Sequence, residues 1–453
     1  MKILLMPLGN IRTYKNSVFY RFEQSNNYDF LPNLLINEFN IDKVMIFVLD
    51  TLYPSLTDEQ PKNYNEMEDF LIKKYSEYFS SHSEFENFEI KVVPGVGTFR
   101  NRKDMEYRFK GTITDLYYLN LYYFYNLFKD LNINDDLEVY LDITFGINYH
   151  TNMLYSSLID LLQLISFIKP VKFVVTNSES PFSREEKNIL FVHKIEEKRI
   201  IPFLNIKDFQ GEKIFGFSSF VDNQEKRIIG KNRLNDFYRE LKKSEVINKS
   251  RIFLKSIYYG FPLVFSTMLK KVDFNKIILK GIEIYKDVLD IENGVDKEIV
   301  KRKLAITPSF KGIIFSSIFS KLFVKLFDEY DEKIHLKDEY PIDYLESISN
   351  FVWKINEEGN YINVFSALSI KKELSDIRNY AKGLPEGEII YTKSKDNENK
   401  QSKQIYSKIY SNEKRNFLAH AGLSNRTFKI KKTKSDILIV PQMENILGNF
   451  KDI

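Results

Sequence analysis

The 453-residue chain has no cysteine, which excludes disulfides, thiolate metal sites and a cysteine nucleophile. Histidine is almost as scarce, with five residues in all (His82, His150, His193, His335 and His420), so a histidine-rich metal site is not expected. Seventeen glycines and 13 prolines are few for this length and leave little room for long irregular stretches. An excess of one charge is also missing. Sixty-six basic residues against 62 acidic ones give a net charge of +4, unlike a protein that coats nucleic acid, so any such contact must come from a local patch. No apolar run is long enough to span a bilayer. The longest charge-free stretches are 143–159, which is rich in polar residues, and 256–269, which is short and carries Gly260 and Pro262. Met1–Asn10 has one lysine and a short apolar run broken by Pro7 and Gly9, the pattern of a buried strand rather than a signal peptide. These absences lead to the expectation of a soluble, cytoplasmic protein without metal or cofactor.

What is present is an ordinary globular composition, 43% hydrophobic and 28% charged, with material for two separate cores. The N-terminal third alternates strands and helices. Lys2–Leu8, Lys43–Leu49, Glu89–Val93, Leu137–Ile143 and Val171–Thr176 are short, nearly continuous apolar runs that suit a parallel sheet covered on both faces. Helical spacing is expected in Asn65–Tyr78, Ile113–Leu131 and Thr151–Phe167. The alternation predicts a Rossmann-like domain over 1–178, with ligands at the carboxyl ends of its strands. Residues 179–225 read as a connector with short strands at Ile189–His193, Lys198–Ile201 and Lys213–Phe217. From 226 to 453 the pattern is helical: Asn232–Leu241, Ser250–Leu269, Asn275–Leu289, Lys311–Asp328, Pro341–Asn356, Ile362–Tyr380 and Ser402–Ala421. A polar stretch at 383–404 reads as an exposed loop, and Thr427–Pro441 as two short strands.

Three places carry chemistry. Asp142-Ile-Thr-Phe-Gly-Ile-Asn148 follows the fourth strand and precedes a helix. It places the Thr144 hydroxyl, the close-approach Gly146 and the Asn148 amide beside a helix N-terminus, which suits a phosphate. Taken blandly, it is a tight turn capped by Asn148 or Thr151. Gly9-Asn10 after the first strand shares that rim, as does Pro94-Gly-Val-Gly97, which lacks the third glycine of a dinucleotide fingerprint because position 100 is Arg. The basic residues Arg100, Arg102, Lys103 and Arg108 after it read as solvated surface or anion support. Third, Arg415-Asn-Phe-Leu-Ala-His420 puts Asn416 and His420 on one helix face with Arg415 beside them, and Ala419, Ala421 and Gly422 leave room for a neighbour. Arg can neutralise phosphoryl charge and His can move protons near neutral pH. Arg378-Asn379 has no such histidine and reads as helix surface.

In order and spacing these motifs resemble the CRISPR-associated CARF–HEPN ribonucleases that act as ancillary effectors of type III systems. The resemblance implies an N-terminal Rossmann-like CARF domain with a parallel sheet and an all-helical C-terminal HEPN domain. It implies a metal-independent endoribonuclease acting on single-stranded RNA in antiviral defence, allosterically activated by cyclic oligoadenylate, most often cyclic tetra-adenylate. It also implies a homodimer able to assemble further, with no membrane contact. Carried over, Arg415 and His420 are the catalytic pair, with Asn416 as the polar residue after the Arg. Thr144, Phe145, Gly146 and Asn148 are ring contacts, together with Gly9 and Asn10. Where the family motif usually has His before the Gly this chain has Phe145, which can stack on adenine but cannot donate a hydrogen bond. Two rivals stay open: a ligand-sensing DNA-binding regulator without nuclease activity, and a small-molecule enzyme on the N-terminal sheet.

Overall fold

The computed structural model describes all residues except 14–17, 23–24, 180–187, 206–208, 210, 270–273, 295, 327–337, 354–366, 391–416, 419, 425–426 and 451–453. Two compact units emerge. One comprises 1–201, 211–240 and 276–314, the other 202–210, 241–275 and 315–453.

The first unit is organised by a seven-stranded sheet in the order β2-β9-β8-β7-β1-β3-β4. Its strands are β1 (Lys2–Leu8), β2 (Val18–Arg21), β3 (Lys43–Leu49), β4 (Phe88–Val93), β7 (Leu137–Asp142), β8 (Val171–Ser178) and β9 (Asn188–Arg199). β1 pairs in parallel with both β3 and β7, β3 with β4, and β7 with β8. The apolar runs explain this core: six of the seven residues of β1 and of β3 are buried, as parallel strands sandwiched by helices require. Helices α1 (Leu31–Phe39), α2 (Tyr64–His82), α3 (Asp115–Phe128) and α4 (Asn148–Ile165) connect the strands. The chain first winds from β1 through β3 to β4, then crosses back to β7 and β8 on the other side of β1. β1 and β7 therefore flank a topological switch point, where strand-end loops diverge and leave a crevice.

Several expectations are corrected. The two pieces at 189–193 and 198–201 are one 12-residue strand, β9, antiparallel to β8 and part of the main sheet. The compact units do not follow the chain in order, because 211–240 and 276–314 belong to the first one. β11 (Leu289–Asn293) and β12 (Lys297–Arg302) join β5 (Gly97–Arg100) and β6 (Glu106–Lys110) in a second sheet, with β12 parallel to β6. β10 (Phe215–Phe217) pairs with β13 (Leu304–Ile306). The stretch 226–453 is therefore not all-helical. The alternation in β12 escaped detection because two of its three inward residues, Glu298 and Arg302, are charged.

The second unit contains helices and a four-stranded sheet, β14 (Tyr340–Pro341), β17 (Ile437–Pro441), β16 (Phe428–Lys432) and β15 (Gly387–Ile390). The tail expected as two strands forms the β16–β17 hairpin, while part of the expected 383–404 loop, Gly387–Ile390, pairs with β16. The expected helix 250–269 is two helices, Val246–Tyr259 and Pro262–Met268, since Pro262 cannot continue the first and opens the second. Phe253, Phe265, Phe319 and Phe323 pack edge-on and stacked in this core, and Trp353 donates from Nε1 to the carbonyl of Ile257 at 2.7 Å. Among the described residues no helix is long and apolar enough to cross a membrane.

Candidate functional sites

Three strand-end loops converge on the start of α4. The motif after β7 is shaped from within. Asp142 is fully buried and accepts from Thr144 N at 3.0 Å, from Thr144 Oγ1 at 3.1 Å and from Thr176 Oγ1 at 2.8 Å. Thr144 Oγ1 in turn accepts from Ser178 N at 2.9 Å, so this hydroxyl ties β7 to β8. Burial pushes the Asp142 carboxyl up to about 6, the hydrogen bonds from Thr176 and Thr144 offsetting part of the effect. Phe145 is half-buried against the core, edge-on to Tyr20 at 6.2 Å between ring centres.

Gly146 has φ +126°, a conformation L side chains rarely adopt, and a Cβ there would lie 3.1 Å from Pro7. That close approach brings the motif against the end of β1. Asn148 opens α4 and is exposed, as are Gly146 and Ile147. The helix has no side-chain cap, so neither Asn148 nor Thr151 plays that part. Thr151 instead donates to the carbonyl of Asn148 at 3.1 Å.

At the end of β1, the Gly9 carbonyl accepts from the Tyr75 hydroxyl at 2.7 Å, and Asn10 Oδ1 accepts from Arg12 N at 3.1 Å. On the far side of α4's first turn, a Cβ at Gly95 would lie 2.9 Å from the Tyr149 hydroxyl. Gly95 N donates to Asp50 Oδ1 at 2.8 Å and its carbonyl accepts from Arg302 Nη1 at 2.7 Å. Arg302 closes the circuit with an ion pair to Asp50, and Tyr64 donates to the same carboxylate at 2.9 Å. Sequence reasoning missed this network because its cation enters from β12. Beside the motif, a cleft of about 340 Å³ opens between Ile143, Thr151, Asn152, Tyr155 and Glu196.

His150 is 1% exposed and burial pushes its imidazole down to about 3, so it is a neutral core residue. Arg100 and Arg108 are partnered by Asp104 and Glu106 on the surface, and Arg102 and Lys103 are exposed. His82 packs against Tyr78 and Phe30, and exposed His193 faces Glu179. His335 lies outside the described residues.

In the second unit, Arg415 and Asn416 also lie outside the described residues, and His420 can be placed. Phe417 is buried edge-on to Phe261, with ring centres 4.9 Å apart. Most of the expected helix 402–421 lies outside the described residues; at its end Gly422, with φ +76°, donates to the Phe417 carbonyl at 2.8 Å. A Cβ there would come within 3.2 Å of Phe261, which is the neighbour the small residues admit.

The His420 side chain is 32% exposed and its Nδ1 lies 2.7 Å from Glu373 Oε1, a carboxylate only 5% exposed. Glu373 was not anticipated. The signal was available: helix Ala367–Lys382 buries Ile370, Leu374, Ile377 and Ala381, and Glu373 interrupts that stripe three residues after Ile370. Arg378, expected as plain surface, ties this helix to Ile342–Val352 through Glu346 at 2.8 Å and through Asp343. Among the described residues no three His, Asp or Glu side chains are grouped to hold a metal ion.

Comparison with known proteins gives concordant matches to both ends of the chain. Residues 3–181 match the model of the CARF domain of CRISPR system endoribonuclease Csx1, and residues 366–440 match that of its HEPN domain. Over 442 residues the chain is 32% identical to the CRISPR system endoribonuclease Csx1 of Methanocaldococcus jannaschii, covering 95% of this chain and 86% of that protein. The first match contains every rim residue of the switch point, and the second contains both His420 and Glu373.

Proposed function

Because the chain belongs to the Csx1 family of CRISPR system endoribonucleases, with a CARF and a HEPN domain, we propose that it cleaves single-stranded RNA when a cyclic oligoadenylate, cyclic tetra-adenylate first among them, binds the strand-end rim. It works in the cytoplasm as a homodimer able to assemble further, without metal. The observation that carries the sensing half is the convergence of the β1, β4 and β7 ends on the exposed, uncapped start of α4. The positive end of the helix dipole there favours an anionic phosphodiester. Gly146 and Asn148 offer the contact surface, Phe145 flanks it, Gly9 and Asn10 border it, and Thr144 holds the loop's shape.

In the cleavage half, Arg415 stabilises charge on the scissile phosphate, Asn416 assists as a polar neighbour and His420 transfers protons. The attacking group is the RNA's own 2′-hydroxyl, which leaves a 2′,3′-cyclic phosphate. DNA of the same sequence is then not cut. The ring acts by preferring one arrangement of the protein, since a ligand shifts an equilibrium only by its differential affinity. A hundredfold activation needs about 2.7 kcal/mol of such preference.

The test is to incubate the protein with labelled RNA and each cyclic oligoadenylate in turn. One ring size should stimulate cleavage, EDTA should leave it intact, and His420→Ala or Arg415→Ala should abolish it while ring binding survives. Activity lost to chelator and restored only by a divalent ion would refute the metal-independent mechanism. A duplex-DNA shift without loss of RNA would favour the regulator instead.

A further inference from the structure

A carboxylate withdrawn from water needs a partner, and Glu373 has placed itself against one of the chain's five histidines. An ionised carboxylate only accepts hydrogen bonds, so a contact of 2.7 Å to an imidazole nitrogen requires the proton to sit on that nitrogen, Nδ1. Neutral imidazole carries one proton, which leaves Nε2 with its lone pair. Nδ1 faces a side chain that is 5% exposed, and about a third of the His420 side chain is open to solvent.

We propose that Glu373 is a positioning residue for RNA cleavage, holding His420 in the Nδ1–H tautomer so that Nε2 meets the reacting RNA. The proposal rests on the endoribonuclease reading of His420. The 2′-oxygen bonds to the adjacent phosphorus as the P–O5′ bond breaks. The 2′-hydroxyl proton passes to Nε2, and a proton from water neutralises the departing 5′-oxygen; His420 then returns its proton to solvent. Glu373 moves no proton itself. Its contribution is the tautomer and the ring orientation, as for any carboxylate behind a proton-transferring histidine.

The experiment uses the full chain with activating ring and labelled RNA. Glu373→Gln should lower kcat by about tenfold or more while KM for RNA and the affinity for the ring stay within about twofold, and Glu373→Asp should restore part of the loss. Nitrogen-15 spectra of labelled histidine in the wild-type protein, with His420 identified by its loss in His420→Asn, should show a protonated Nδ1 and an unprotonated Nε2. In Glu373→Gln the signals should move toward a mixture of tautomers. A folded Glu373→Gln with unchanged kcat, or a wild-type His420 protonated on Nε2, overturns the proposal. The wild-type spectrum decides even where the variant fails to fold. His420→Ala separates the two layers: full cleavage by that variant refutes the nuclease assignment itself, whereas an inactive His420→Ala beside a fully active Glu373→Gln refutes only the role of Glu373.

Discussion

Asp50 directly follows β3 and Asp142 closes β7, the two strands that flank β1, and both are fully buried, yet they are kept there in opposite ways. Asp142 is surrounded by neutral donors, two hydroxyls and a backbone N–H, and its carboxyl is pushed up to about 6. Asp50 is paired with the Arg302 guanidinium and also holds the Gly95 amide and the Tyr64 hydroxyl. One end of the rim is tied by hydrogen bonds from its own loop and from the adjacent strand. The other depends on a cation that arrives 252 residues later. A locally tied carboxylate fails gradually as donors are removed. One held by a distant cation fails at once when that cation goes, because a buried charge is left uncompensated.

Arg302→Met should therefore have the largest effect on the fold. Removing one partner of a buried pair costs about 3–5 kcal/mol, and the lost bond to the Gly95 carbonyl should loosen the 94–97 turn. Denaturant unfolding of the full chain measures the first effect and ring binding the second. A loss below about 1 kcal/mol would erase the contrast with Asp142.

The pH dependence comes next. The Asp142 carboxyl is raised in the folded state, so its contribution is fully present below its unfolded value of 3.8 and is lost as pH rises toward about 6. That loss amounts to about 3 kcal/mol. Relative to wild type, Asp142→Asn should gain stability between pH 4 and 6 and hold the gain above it. A pH-independent difference between the two proteins would show that Asp142 carries no such shift. His150 works in the opposite direction. Its imidazole stays neutral in the fold down to about 3, so its contribution is present above the ordinary histidine value of 6.5 and is lost as pH falls. His150→Leu should therefore flatten the acid limb of the stability profile.

Thr176→Val removes one of the three bonds to Asp142 and should cost about 1–3 kcal/mol, less than Arg302→Met. A larger loss would reverse the ranking of the two tethers. Smallest is Asn148→Ala, which is exposed and tethers nothing through its side chain that the fold requires. It should raise the ring concentration for half-maximal RNA cleavage about tenfold, or roughly 1.4 kcal/mol, with the full rate recovered at saturating ring. If neither binding nor activation weakens, the ligand contacts lie elsewhere on the rim.

What could be read from the chain alone was whatever physics keeps short-ranged. The five apolar runs became parallel strands, because sandwiched strands must be apolar throughout. The order of strands and helices was enough to bring the loops at their carboxyl ends to one rim, and the small residues after Phe417 accompany a turn at Gly422 pressed against Phe261. The rest was decided by tertiary structure. Nothing near Asp50 in sequence names Arg302, and nothing near His420 names Glu373, 47 residues earlier. Strands β11 and β12 were hidden for the same reason. The inward positions of β12 carry Glu298 and Arg302, charges that look solvent-facing until the fold surrounds them, and β11 is only its antiparallel partner with no buried residue of its own. A hydrophobic residue announces its burial by its own chemistry. A buried charge is stable only through its partner, and which partner it meets is known only once the chain has folded.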